Sequence, residues 1–187
     1  MSISLHKVKY TYAEYVAFEA SSNVKHEFLD GQIYAMAGGI PEHAALATAF
    51  SGQLYGQLRG GDCRAYDSDL RVRTPSGLTT YPDVTVICGP SERDETDPLA
   101  VTNPALIVEV LSRSTEEYDA GDKFEHYKTV QSLRQYVLVS HRERVWTRGH
   151  DGAWQTAVVR EGQAADLVID ARLDVRELYE AAAEPSA

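Results

Sequence analysis

The chain has 187 residues, 43% hydrophobic and 25% charged, which fits one soluble globular domain with enough length to bury a core without staples. Its 28 acids against 18 bases give a net charge of -10, a balance that argues against nucleic-acid affinity built on phosphate contacts alone. No apolar run nears the ~20 residues that span a bilayer, and the chain holds no P-loop, GxSxG or GxGxxG, which sets aside several common enzyme classes.

The elements follow in chain order. The start, MSISLHKVKY, has no apolar stretch of the kind a secretory signal carries. Tyr12 to Ala20 reads as a short helix, and Glu27 to Met36 as a hairpin turning at Asp30-Gly31. Pro41-Glu42 opens a helix over His43 to Leu58, with Leu46, Ala49, Phe50, Leu54 and Leu58 at helical spacing and Gly60-Gly61 as its stop. Arg59, Arg64, Arg71 and Arg73 follow closely enough to form a local basic stripe. Strands are expected at Ser68–Arg73, Asp83–Cys88, Ala105–Leu111 and Gln135–Val139, the third nearly all apolar and therefore central. A helix from Asp119 to Val130 separates the last two. Val145–Arg148 and Thr156–Val159 read as a hairpin, and Leu173–Ala181 as a closing helix. The order implies a mixed sheet in an α/β core. Residues 1–180 are expected to form one domain, with 181–187 as a frayed tail. Cys63 and Cys88 belong to no CxxC pair, so a thiolate zinc site is not expected. Two isolated thiols fit a reducing cytoplasm.

The residue with most chemical meaning is Glu109, inside the apolar string ALIVEVL. An ionised carboxylate there costs several kcal/mol, roughly, unless it is paired or bound to a metal. A buried Glu satisfied by an arginine or by hydrogen bonds is the plain alternative. Asp83 follows Tyr81-Pro82 and opens the preceding apolar strand; alone it could be an ordinary turn residue. If the two strands are neighbours, both acids converge, and two carboxylates at one point call for a cation. Magnesium suits such a pair, because it keeps several waters and takes one or two carboxylates with a phosphate oxygen. Lys123, one turn before Tyr127, could serve a phosphate near that ion or be a solvated helix lysine. Glu27, at a strand opening, and His43, near a helix N-terminus, carry weaker signals of the same kind.

The string Tyr81-Pro82-Asp83, then Glu109-Val110-Leu111-Ser112, then Lys123 and Tyr127, then Tyr136-Val137-Leu138-Val139, resembles the Uma-two family of restriction endonucleases, a branch of the PD-(D/E)XK nucleases. The stretch Glu27 to Tyr34 and the later His43 match its pattern as well, so the resemblance runs from about Thr11 to Val175. It implies a restriction-endonuclease-like mixed β-sheet flanked by helices, here with an added N-terminal helix and β-hairpin. It implies Asp83, Glu109 and Lys123 as catalytic residues. Asp83 and Glu109 would be the metal ligands, with Glu27 as a third ligand or as a partner of a metal-bound water. His43 and Tyr127 would be accessory. The superfamily asks for lysine two residues after the glutamate, where this chain has Leu111; Lys123 matches the position to which this branch displaces it.

Together these point to a cytoplasmic, Mg²⁺-dependent DNA endonuclease, with Mn²⁺ as a substitute ion, no membrane partner and a homodimeric assembly. The rival is a catalytically inactive interaction or regulatory module of the same fold, which the acidic total charge favours somewhat.

Overall fold

The computed structural model describes residues 9–112, 115–140, 144–148, 154–160 and 162–184. Thr11 caps helix α1 (Tyr12–Ser21): its hydroxyl accepts the Glu14 N–H, and the Glu14 carboxylate accepts the Thr11 N–H. Strands β1 (His26–Leu29) and β2 (Gln32–Ala35) form the expected hairpin, turned by Asp30 and Gly31 at φ of 50° and 79°. Pro41 begins helix α2 (Pro41–Leu58), whose Leu46, Phe50, Leu54 and Leu58 are buried. Then come β3 (Cys63–Tyr66), β4 (Arg71–Arg73), β5 (Thr79–Thr80), β6 (Val84–Cys88), β7 (Ala100–Val101) and β8 (Leu106–Leu111). Two short helices follow, α3 (Glu116–Ala120) and α4 (Asp122–Tyr127), and then β9 (Gln135–Ser140), β10 (Arg144–Arg148), β11 (Thr156–Val159), β12 (Ala164–Leu167), β13 (Ala171–Asp174) and α5 (Val175–Ala182).

Six of the strands make the central sheet, in the order β11-β10-β9-β8-β6-β3. It is mixed: β8 runs parallel to β9 and antiparallel to β6. Alternation along β8 divides its side chains between two cores. Leu106, Val108 and Val110 face α2, α5 and the β12–β13 hairpin, whereas Ile107 and Leu111 pack with Tyr127, Tyr136 and Leu138. Glu109 shares the face of Ile107 and Leu111, which sends its carboxylate toward α4. A second sheet, β2-β1-β5-β4-β7, carries the N-terminal hairpin. Its strand β5 ends at Thr80, three residues before Asp83, and Thr80 bonds the Glu27 carboxylate, so this sheet delivers Glu27 and Asp83 to one place.

Several expectations change. The strand expected over Ser68–Arg73 shortens to Arg71–Arg73, because 67–70 form a turn in which Asp67 accepts the Asp69 N–H. The helix expected over Asp119–Val130 is divided at Gly121. The basic stripe does not form as expected: Arg71 is buried, ion-paired to Asp97, and the Arg73 guanidinium lies over the Tyr12 ring at 3.8 Å. The cysteines are not isolated thiols. Cys63 and Cys88 are cross-strand partners on β3 and β6 and are joined as a disulfide. The argument for a reducing compartment from two free thiols therefore does not carry over. Among the described residues no helix is long and apolar enough to cross a membrane. The last helix takes in Ala181 and Ala182 of the expected tail, and 185–187 lie outside the described residues.

Candidate active site

Strand β6 meets β8 through Val84–Val108, Thr85–Ile107 and Val86–Leu106. One step further along this ladder, Asp83 and Glu109 stand on the same side. The two candidate acids are therefore brought together by register alone. Asp83 is held at both oxygens: Oδ2 accepts the Val110 N–H at 2.7 Å, and Oδ1 meets His43 Nε2 at 3.0 Å. His43 reaches it from the first turn of α2. The hydrogen bond to Asp83 raises the His43 pKa, burial opposes that rise, and Asp119 adds to it. His43 Nδ1 is buried with no hydrogen-bond partner among the described residues.

Glu109 is 5% exposed. Tyr127 Oη donates to its Oε1 at 2.7 Å, and the Lys123 ammonium stands 3.0 Å from the same atom. Burial pushes the Glu109 carboxyl up to about 8; Lys123 pulls it down, while Asp119 and Asp83 add to the rise. Lys123 and Tyr127 are one turn apart on α4, so one short helix supplies both contacts.

Lys123 does not point to solvent. Its ammonium lies 3.1 Å from Glu27 Oε1 and 3.5 Å from Asp119 Oδ1, and it is 5% exposed. Burial works against its charge, yet Glu109, Glu27 and Asp119 together hold it protonated well above the usual lysine range. Thr80 Oγ1 donates to the Glu27 carboxylate and fixes it from the second sheet. All six sequence candidates thus gather in one place: Glu27, His43, Asp83, Glu109, Lys123 and Tyr127. Leu111 is buried on the same face as Glu109, where its side chain packs in the apolar cluster around Tyr127.

Asp119 and Thr80 belong to this cluster and carried no signal of their own in the sequence. Asp119 could have been found by its place four residues before Lys123, although Gly121 breaks the helix between them. Thr80 could not, because only the pairing of β1 with β5 brings it to Glu27.

The donor set suits a hard divalent cation. Glu27, Asp83, Glu109 and Asp119 are all oxygen donors, and burial holds the Glu109 carboxyl high, so a cation within reach would favour its ionised, ligating form. No group of three or more His, Cys, Asp or Glu side chains surrounds one point among the described residues. Magnesium does not need such a cage, since one or two carboxylates with waters suffice.

Comparison with known proteins agrees with this architecture. The Uma2 family, described as "Putative restriction endonuclease", matches residues 12–176. An uncharacterised Synechocystis protein, slr1290, is 40% identical over 157 residues, covering 82% of this chain and 80% of its own. A second from the same organism, sll1609, is 35% identical over 130 residues, covering 69% and 73%. Among solved structures, a "putative nuclease belonging to DUF820" from Anabaena variabilis superposes with a TM-score of 0.72 at 16% identity, covering 87% of this chain and 93% of that one. The fold is thus the restriction-endonuclease-like one expected from the sequence. The match runs through every element that builds the acid cluster, and on it the chain belongs to the Uma2 family of restriction-endonuclease-like proteins.

Proposed function

We propose that this protein is a metal-dependent endonuclease that hydrolyses phosphodiester bonds in DNA, with magnesium as its ion. The observation that carries the reading is the pair Asp83 and Glu109 on adjacent strands, one of them buried, beside a buried lysine. Asp83 and Glu109 would hold the ion, and Glu27 would serve as a third ligand or as the partner of a metal-bound water. A magnesium ion held there supplies Lewis-acid polarisation of a phosphoryl oxygen and a bound water of lowered pKa. Lys123, kept charged by its acids, offers a fixed cation for the charge that develops on the phosphate. Tyr127 holds the Glu109 carboxylate in place for it. The backbone of β8 holds Asp83 through Val110, and His43 steadies the other oxygen.

The competing reading, an inactive module of the same fold, draws on Leu111 at the position where the superfamily carries lysine. One experiment separates the two. Wild-type protein is expected to cleave supercoiled plasmid only when Mg²⁺ or Mn²⁺ is added, and the ion should raise its Tm by mass action. Asp83→Asn loses both responses. Wild type that gains no stability from either ion and cuts no DNA would leave the module reading standing.

A further inference from the structure

Next to the acids lies a second feature, a cavity of about 370 Å³ lined among others by Glu19, Val24, Lys25, Arg71, Tyr81 and Leu99. Two chain segments tie it to the site. Lys25 stands two residues before Glu27, and Tyr81 stands two residues before Asp83. Two residues of chain span at most about 7 Å. The cavity therefore lies within two residues of chain from both Glu27 and Asp83.

Its chemistry selects against an anion. Lys25 and Arg71 are matched by Asp69 and Glu19 in the lining. Lys25 is also tied to Asp69 at 2.6 Å, and Arg71 to Asp97 behind the cavity. What remains is a polar floor beneath an apolar rim. The floor is rigid, because its groups are locked in one chain. Arg71 Nε donates to Tyr81 Oη at 2.8 Å, Tyr81 Oη donates to Glu19 Oε1 at 2.6 Å, and His26 Nδ1 meets Glu19 Oε2 at 2.8 Å. The rim carries Val24 and Leu99, large apolar side chains that are 52% and 64% exposed. A ligand with flat apolar faces and an edge of donors and acceptors fits this combination, and a nucleobase is such a ligand.

We propose that this cavity receives one nucleobase beside the bond that is cut, and so sets the sequence preference of cleavage; the proposal rests on the nuclease reading above. A chain of net charge -10 has little electrostatic hold on phosphates, so contacts to a base supply discrimination that the backbone cannot.

The test has two arms. In the first, the full-length ¹⁵N-labelled protein is titrated without metal against the four deoxynucleosides and against inorganic phosphate. At least one nucleoside shifts the amides of Val24, Lys25 and Leu99, and Leu99→Asp weakens that binding at least tenfold. No response to any nucleoside, or an equal response to phosphate, overturns the proposal whether or not the protein cuts DNA. In the second, the ends of cleaved random-sequence DNA are sequenced. Wild type shows a base bias at one position flanking the cut, and Leu99→Asp reduces it at least tenfold while still cutting. Ends without bias, or a bias unchanged in Leu99→Asp, overturn the base pocket and leave the nuclease reading intact. Failure of wild type to cut any DNA overturns the nuclease reading, and the nucleoside titration still decides the pocket.

Discussion

Lys123 is the residue on which the site's energetics turn. Three carboxylates, Glu27, Glu109 and Asp119, share its single charge at 3.0 to 3.5 Å inside the protein. Removing one partner of a buried ionic cluster is costly, because the others stay desolvated without compensation; about 3–5 kcal/mol is typical. Lys123→Met should therefore lower metal-free stability by about that much in urea melts. Added Mg²⁺ should recover more Tm in this variant than in wild type, since the ion replaces the missing charge. A variant as stable as wild type would show that the acids do not depend on the ammonium. At Asp83 the choice of substitution matters. Asp83→Ala strips the acceptor from the Val110 N–H and should cost about 1–3 kcal/mol, whereas Asp83→Asn keeps an acceptor. Loss of Mg²⁺-dependent cleavage in both, with the stability loss confined to Ala, separates metal binding from packing. Equal melts for the two variants would contradict this account of the hydrogen bond.

At the scale of elements, the approach to α2 and the edge of the central sheet each make a prediction. A Cβ built on Gly39 would lie 2.9 Å from His43 Cδ2, so this glycine leaves room for the ring that braces Asp83. Gly39→Ala should slow cleavage roughly 10- to 100-fold through a displaced site, with little change in Tm. Full activity in that variant would mean that the ring is free to move or that His43 is dispensable. Strand β3 is the edge of the sheet, and the Cys63–Cys88 bond ties it to β6 across a separation of 25 residues. In the chain-entropy account a loop of that size contributes about 3.5 kcal/mol. Dithiothreitol should lower the urea midpoint of wild type and leave a Cys63→Ser, Cys88→Ser double variant unaffected. Alkylation of two thiols before any reduction would show that the bond is not made.

The whole molecule is acidic, and two of its 18 basic residues, Arg71 and Lys123, are spent internally. Few phosphates can then be neutralised on binding. Anisotropy with labelled duplex DNA should show affinity falling by less than about 10³ between 50 and 200 mM salt, below the loss expected for six or more phosphate contacts. A steeper fall would require a basic surface that this charge balance does not suggest. A two-fold dimer, which we propose for cutting both strands, should convert supercoiled plasmid to linear product with little nicked intermediate.

The sequence by itself determined those features set by local pattern. The β1–β2 hairpin was legible in Asp30-Gly31, α2 in its apolar spacing and glycine stop, and β8 in an unbroken apolar run. The acid inside that run was conspicuous because an ion inside an apolar strand is costly wherever the strand goes. Tertiary structure alone decided what compensates it. Lys123 looks like any helix lysine until the parallel β8–β9 crossover folds α3 and α4 back over the face that carries Glu109. The partnership of Cys63 with Cys88, the burial of Arg71 against Asp97, and the reach of Thr80 to Glu27 depend likewise on pairings between distant segments. Such pairings follow from which surfaces exclude water together, a property of the packed chain that spacing along one segment does not encode.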